Sequence, residues 1–263
     1  MMSHLPSDSI NHPTLHYTES GKGAPLVLLH GFLGSSAYWD ELVPLLSAHY
    51  RCITPDLRGH GRSLAPEGSY RIEQMADDVI GLLDHLELPT ATVLGHSMGG
   101  YVTLALAEQH ADRLDGWGLI HSTPHEDAPQ AKENRLLAVS KINSQGIAAF
   151  TDGIVEGLFA PASLEQLPKA VQKVRELGYA TPPQGACGAA LAMRERPDRR
   201  EVLATSTQPI LLVAGAQDGL IPAERLFTSE GPNISAHTIE TAGHMGMLET
   251  PTELAGIIRD YLG

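Results

Sequence analysis

The sequence predicts an α/β domain interrupted by an all-helical insertion, and three observations point to it. Short apolar strands alternate with amphipathic helices over residues 14–121 and again over 208–263. Between them, over 122–207, the strand pattern stops and only helical segments remain. The run Gly95-His96-Ser97-Met98-Gly99 sits where one strand gives way to a helix. At 263 residues, 42% hydrophobic and 19% charged, the chain can bury one large core.

The elements follow in order. Residues 14–20 read as a first strand, joined through Gly21-Lys22-Gly23 to a buried strand over 25–29. Residues 38–48 read as a helix whose apolar stripe is Trp39, Leu42, Val43, Leu45 and Leu46. A strand over 51–55 runs into a glycine-rich turn over 56–63, where His60 reads as structural. Residues 72–86 form a helix with Met75, Val79, Leu82, Leu83 and Leu86 on one face. A strand over 91–94, a helix over 100–107 and a strand over 116–121 complete the first part. The insertion carries helices over 131–144, 147–159, 163–177 and 182–195. Thr181 reads as the cap of the last of these, with proline behind it and Gln184 three residues on. Strands over 209–215 and 236–240 and a final helix after His244 close the chain. The expected division is a core of 1–121 plus 208–263 and a cap, or lid, of 122–207.

The strand–turn–helix setting of G-x-S-x-G makes Ser97 the candidate nucleophile, because the sharp turn exposes the hydroxyl at the end of the sheet. A nucleophilic serine needs a base and an orienting acid, in the chain order Ser, Asp or Glu, His. Asp218 follows the strand over 209–215, and His244 follows the strand over 236–240. Asp218 could instead cap the helix beyond Pro222, but its place in the order favours the triad Ser97, His244, Asp218. His96 is expected to point away from Ser97 into the packing beneath it, and His121 ends a strand from which it could reach the pocket.

An oxyanion needs two donors. One is the backbone N–H of Met98, which follows the nucleophile, and the other is the N–H of Phe32 in the His30-Gly31-Phe32-Leu33-Gly34 loop. Pocket walls are expected from Gly31, Phe32, Leu33, Tyr38, Met98 and Met245 with the cap helices, an apolar set suited to uncharged acyl groups.

On these residues the chain resembles the α/β-hydrolase fold superfamily. The matching pieces are His30-Gly31-Phe32, the turn over 56–63, Gly95–Gly99, Gly215–Asp218 and Gly243-His244. The resemblance implies a doubly wound, mostly parallel eight-stranded sheet with the helical cap inserted after strand 6. It implies no cofactor and no metal, and a serine esterase acting on small to medium carboxylic esters through an acyl-enzyme. Lactonases and C–C bond hydrolases share the fold. So does a pyruvate-eliminating synthase that carries arginine where this chain has Tyr101. The C–C hydrolases usually carry asparagine where this chain has His96. A non-catalytic ligand receptor on the same scaffold is the reading from another functional class.

A net charge of −13 disfavours nucleic acid and anionic membrane surfaces as partners and leaves a small-molecule ester as the expected one. Two cysteines, Cys52 and Cys187, are too few for a disulfide framework and lack metal-ligand spacing. The first residues lack the basic start and apolar run of a secretory signal, so the expected location is cytoplasmic.

Overall fold

The computed structural model of the chain describes residues 15–263. Its strands are β1 (Tyr17–Ser20), β2 (Ala24–Leu29), β3 (Tyr50–Pro55), β4 (Ala91–His96), β5 (Leu114–Ile120), β6 (Ile210–Gly215) and β7 (Ile234–Ile239). They form one sheet in the order β1-β3-β2-β4-β5-β6-β7. Pairing is antiparallel only between β1 and β3; all other neighbours run parallel. Parallel neighbours need long crossovers, and these supply the helices that cover both faces.

The helices are α1 (Val43–Leu46), α2 (Ile72–His85), α3 (Met98–Gln109), α4 (Pro129–Asp152), α5 (Pro161–Gln166), α6 (Pro168–Ala180), α7 (Pro183–Glu195), α8 (Arg200–Thr205), α9 (Ala223–Leu226), α10 (Gly246–Glu249) and α11 (Pro251–Leu262). Strands buried on both faces read as continuous apolar runs, and the pleat sorts them. Leu26 and Leu28 pack with Trp39, Leu42 and the Leu254 and Ile258 side chains of α11. Val27 and Leu29 pack on the other face, with Val79 and Leu82 of α2 and Val102 of α3. Each such leucine is fully enclosed, so truncating one to alanine costs about 2–5 kcal/mol.

Several expectations change. The described residues hold seven strands, not eight, and the insertion follows the fifth, not the sixth. The apolar segments of the sequence themselves number seven; the eighth came with the resemblance. Thr14, at the start of the first expected strand, lies outside the described residues, as does the stretch on which the absence of a secretory signal was read. The 38–48 helix splits into a 3₁₀ turn over Ser36–Trp39 and the short α1, since Pro44 lacks an N–H for the preceding turn and belongs in a first turn. The expected break between the first two insertion helices is present inside α4, at Gly146, whose φ of 85° and ψ of 162° lie outside the helical region, but the second helix ends at Asp152 instead of running to 159. The third breaks in two where Pro168 starts α6. Thr181 does not cap α7; its hydroxyl donates back to the Leu177 carbonyl at 3.1 Å. Helix α8 was not foreseen, and it packs on α3 with Leu203 in the core of the sheet. The rest of the insertion centres on α4 packed against α6 and α7. No helix among the described residues is long and apolar enough to cross a membrane.

Candidate active site

Strand β4 lies in the middle of the sheet and ends at His96, directly before Ser97. Ser97 has φ 51° and ψ −113°, a conformation that costs an L residue of order 1–3 kcal/mol and persists only when its surroundings enforce it. The Ser97 N–H donates to the Ile120 carbonyl at 3.0 Å. The Ser97 carbonyl accepts from the Gly100 N–H at 2.9 Å and from the Ser122 hydroxyl at 2.7 Å. Three backbones converge here, which explains the glycines. A Cβ on Gly99 would meet the Leu29 and His30 carbonyls, and one on Gly31 would lie 2.6 Å from His96 Nδ1 and 3.1 Å from Ser97 Cβ.

His244 and Asp218 come together from the loops after β7 and β6. His244 Nδ1–H donates to Asp218 Oδ2 at 2.8 Å, which leaves Nε2 as the lone-pair nitrogen of the ring. Asp218 Oδ1 accepts from the Leu220 and Ile221 N–H groups at 2.8 and 3.0 Å, so the residue shapes its own loop as well as holding the imidazole. Burial pushes the Asp218 carboxyl upward, but the His244 partnership and the two amides outweigh it and hold the group below its usual range. Ser97 and His244 line one cavity, with no hydrogen bond between the serine hydroxyl and the imidazole in this structure. Such bonds often tighten only with substrate present.

The His244 loop is held from several sides. The His244 N–H donates to the Leu158 carbonyl at 2.9 Å. Glu249 Oε1 accepts from the Gly243 and Met245 N–H groups, each at 3.0 Å, and Oε2 accepts from Ala160 N–H at 2.8 Å. His96 is packed in as expected, 2% exposed with its ring against Tyr38, Trp39 and His121; it also borders the cavity and donates from Nε2 to the His244 carbonyl at 2.8 Å. His121 does not reach the cavity. It is buried with φ 47°, its Nδ1 lies 3.8 Å from Asp218 Oδ2, and neither ring nitrogen has a hydrogen bond. Burial and the neighbouring His244 charge lower its pKa to about 3. His60 is fully buried and bonds the Arg58 carbonyl at 3.0 Å.

The loop after β2 is ordered by His30. Its Nε2 accepts the Leu57 N–H at 2.9 Å, so its Nδ1 carries the proton and donates to the Gly31 carbonyl at 2.7 Å. The Gly34 N–H donates to the same carbonyl at 3.1 Å. In a trans peptide the carbonyl and the following N–H point opposite ways, so pinning the Gly31 carbonyl aims the Phe32 N–H away from it. Neither the Phe32 nor the Met98 N–H has an acceptor among the described residues.

The cavity has a volume of about 610 Å³. Phe32, Leu33, Tyr38 and Met245 line it as expected, joined by Phe150 and Val174, whereas Met98 is buried in the core and does not line it. Gly31 lies beneath Ser97 instead of in the wall. The expectation of purely apolar walls fails at Asp127, Arg135, Arg196 and Arg225, which also line the space. Arg196 forms an ion pair with Asp127 Oδ1 at 2.8 Å while its terminal nitrogens donate to the Met193 and His125 carbonyls at 2.7 and 3.1 Å, and Arg135 donates to Asp127 Oδ2 at 3.0 Å. The Arg196 guanidinium lies 3.8 Å from the Tyr101 ring centroid. Burial pushes the Asp127 carboxyl upward, and the two guanidiniums together hold it below its usual range. No local motif signals this group, because its members come from distant parts of the chain and meet only in the fold.

A family model described as alpha/beta hydrolase fold matches residues 24–251. Among curated proteins, 3-oxoadipate enol-lactonase 2 of Acinetobacter baylyi is 30% identical over 240 residues, 90% of this chain and 88% of the relative. Pimeloyl-[acyl-carrier protein] methyl ester esterase of Aeromonas hydrophila is 29% identical over 251 residues, 92% of this chain and 97% of the relative. Among solved structures, a malate-bound thermophilic esterase from Thermogutta terrifontis aligns with a TM-score of 0.89 at 32% identity. The alignment covers 94% of this chain and 92% of that one.

Proposed function

The chain belongs to the alpha/beta hydrolase fold family, and on that premise we propose that it is a serine hydrolase of small to medium carboxylic esters. One observation carries the reading: a serine in a strained turn shares a cavity with His244, whose ring is held by Asp218, and the nearby Phe32 and Met98 N–H groups have no acceptor among the described residues. In this mechanism His244 Nε2 takes the Ser97 proton as the hydroxyl attacks the ester carbonyl. Asp218 holds the tautomer and stabilises the imidazolium. The Phe32 and Met98 N–H groups receive the oxyanion, and His244 returns its proton to the leaving alcohol. Water then enters, His244 acts as base a second time, and the acid is released. These steps need only the chain's own residues and the small-molecule substrate. Helices α4–α7 act as a lid that keeps bulk water from the acyl-enzyme.

A lactone is a second substrate form, favoured by the relative named as an enol-lactonase. It passes through the same steps with the leaving oxygen still tethered to the acyl group.

The test is hydrolysis of p-nitrophenyl esters from acetate to dodecanoate by the wild type and Ser97→Ala. Turnover of short esters that drops by several orders of magnitude in Ser97→Ala supports the reading. A wild type that neither turns over any ester or lactone nor reacts at Ser97 with a fluorophosphonate overturns it.

A further inference from the structure

The end of the cavity bounded by the β5–α4 loop, α7 and α9 is positively charged. Arg135, Arg196 and Arg225 line it, and Asp127 is the sole carboxylate in the lining among the described residues. Three guanidiniums against one carboxylate leave two positive charges, in a chain whose net charge is −13. Composition therefore does not account for them.

The partners are unevenly distributed. Asp127 is fully engaged, with Oδ1 on Arg196 and Oδ2 on Arg135. Arg225 has no ion pair and no side-chain hydrogen bond among the described residues. Its backbone is fixed, since its carbonyl accepts the Thr123 hydroxyl at 2.8 Å. The Arg196 side chain is 3% exposed, yet its Nε has no hydrogen-bond partner. A buried guanidinium N–H without an acceptor is costly, and an anion placed beside it recovers that cost. The planar fork of arginine matches a carboxylate in particular.

We propose that this end of the cavity is a carboxylate-binding subsite, so that the substrate is an ester or lactone carrying a second, free carboxylate remote from the scissile carbonyl. The chemistry at the scissile bond rests on the serine hydrolase reading; the binding does not. Arg225 provides the principal contact, and Arg196 and Arg135 supply the surrounding field. The apolar wall of Phe32, Leu33 and Phe150 then holds the carbon chain between the two ends.

Binding is measured by calorimetry on Ser97→Ala protein with glutarate and adipate, against the corresponding diamides and inorganic phosphate. The diacids are expected to bind at least tenfold more tightly than the diamides, and Arg225→Gln to remove most of that preference. Equal binding of diacid and diamide, no diacid binding, or tighter binding of phosphate overturns the proposal. If Arg225→Gln loses its native melting profile, the preference measured without that substitution still decides. Turnover is followed separately with wild type on monomethyl glutarate and methyl butyrate. Diacid binding without turnover of either ester or reaction with a fluorophosphonate preserves the subsite and removes the hydrolase reading. Turnover of methyl butyrate without diacid binding does the reverse.

Discussion

His30 does not itself line the cavity, yet its replacement is expected to damage catalysis. His30→Ala removes the donor that pins the Gly31 carbonyl at 2.7 Å and the acceptor that satisfies Leu57 N–H at 2.9 Å. The orphaned, buried Leu57 amide costs about 1–3 kcal/mol. The vacated space adds to this, for a total near 2–4 kcal/mol of lost stability. The catalytic effect is larger. With only Gly34 N–H left on the Gly31 carbonyl, the peptide can rotate and take the Phe32 N–H out of line with the oxyanion. Losing one such donor costs about 3–4 kcal/mol in the transition state, or roughly 10²–10³ in kcat. The ester in its ground state makes little use of that donor, so KM should stay within about threefold. The assay is steady-state hydrolysis of p-nitrophenyl acetate beside thermal unfolding of both proteins. A folded His30→Ala with kcat within about threefold of wild type would refute the claim that His30 orients the oxyanion donor.

Other consequences follow from the same residues. His30, His60 and His121 are fully buried and neutral, with pKa values lowered by burial to about 4, 3 and 3, whereas in the unfolded chain each protonates near 6.5. Folding therefore favours the unprotonated form. The stability is complete above pH 6.5 and lost as pH falls from there towards 4, by about 1.4 kcal/mol per pH unit for each group. Urea midpoints at pH 7, 5.5 and 4.5 should drop steeply, and a flat profile down to pH 5 contradicts this. Asp218→Asn keeps the loop acceptor but disturbs the His244 tautomer, and should lower kcat about 10⁴-fold in ester hydrolysis with little change in melting temperature. Glu249→Gln sets an amide NH₂ against backbone N–H groups at Ala160 or at Gly243 and Met245. It should lower the melting temperature and reduce kcat about tenfold, and an unaltered kcat would show that the His244 loop holds its place without that carboxylate.

The parts of the site that could be read in the sequence are those whose position is tied to a strand end. Ser97, Asp218 and His244 each follow a recognisable apolar segment, so their relative placement follows from the parallel sheet. The positions of Phe32 and Met98 just beyond strand ends were legible for the same reason. The guanidinium end of the cavity was not. Asp127, Arg135, Arg196 and Arg225 lie on or beside α4, α7 and α9, and nothing in local periodicity orients those helices relative to Ser97. Breaks at Pro44 and Pro168 were missed because the apolar stripe continues through them; the backbone constraint outweighs the stripe. The packing of His96 was legible but its bond to the His244 carbonyl was not, because a strand position shows which way the side chain leaves the backbone and not what it meets 148 residues later.

The bonds between Leu158 and Ala160 and the loop around His244 tie that loop to the helical insertion. Under the proposed mechanism, a substrate that settled the insertion in place would thereby also steady the imidazole. An outward shift of that stretch would instead pull on the loop that carries the ring. Such wiring makes reactivity depend on occupancy. An empty, open pocket would then present a dormant hydroxyl to passing electrophiles.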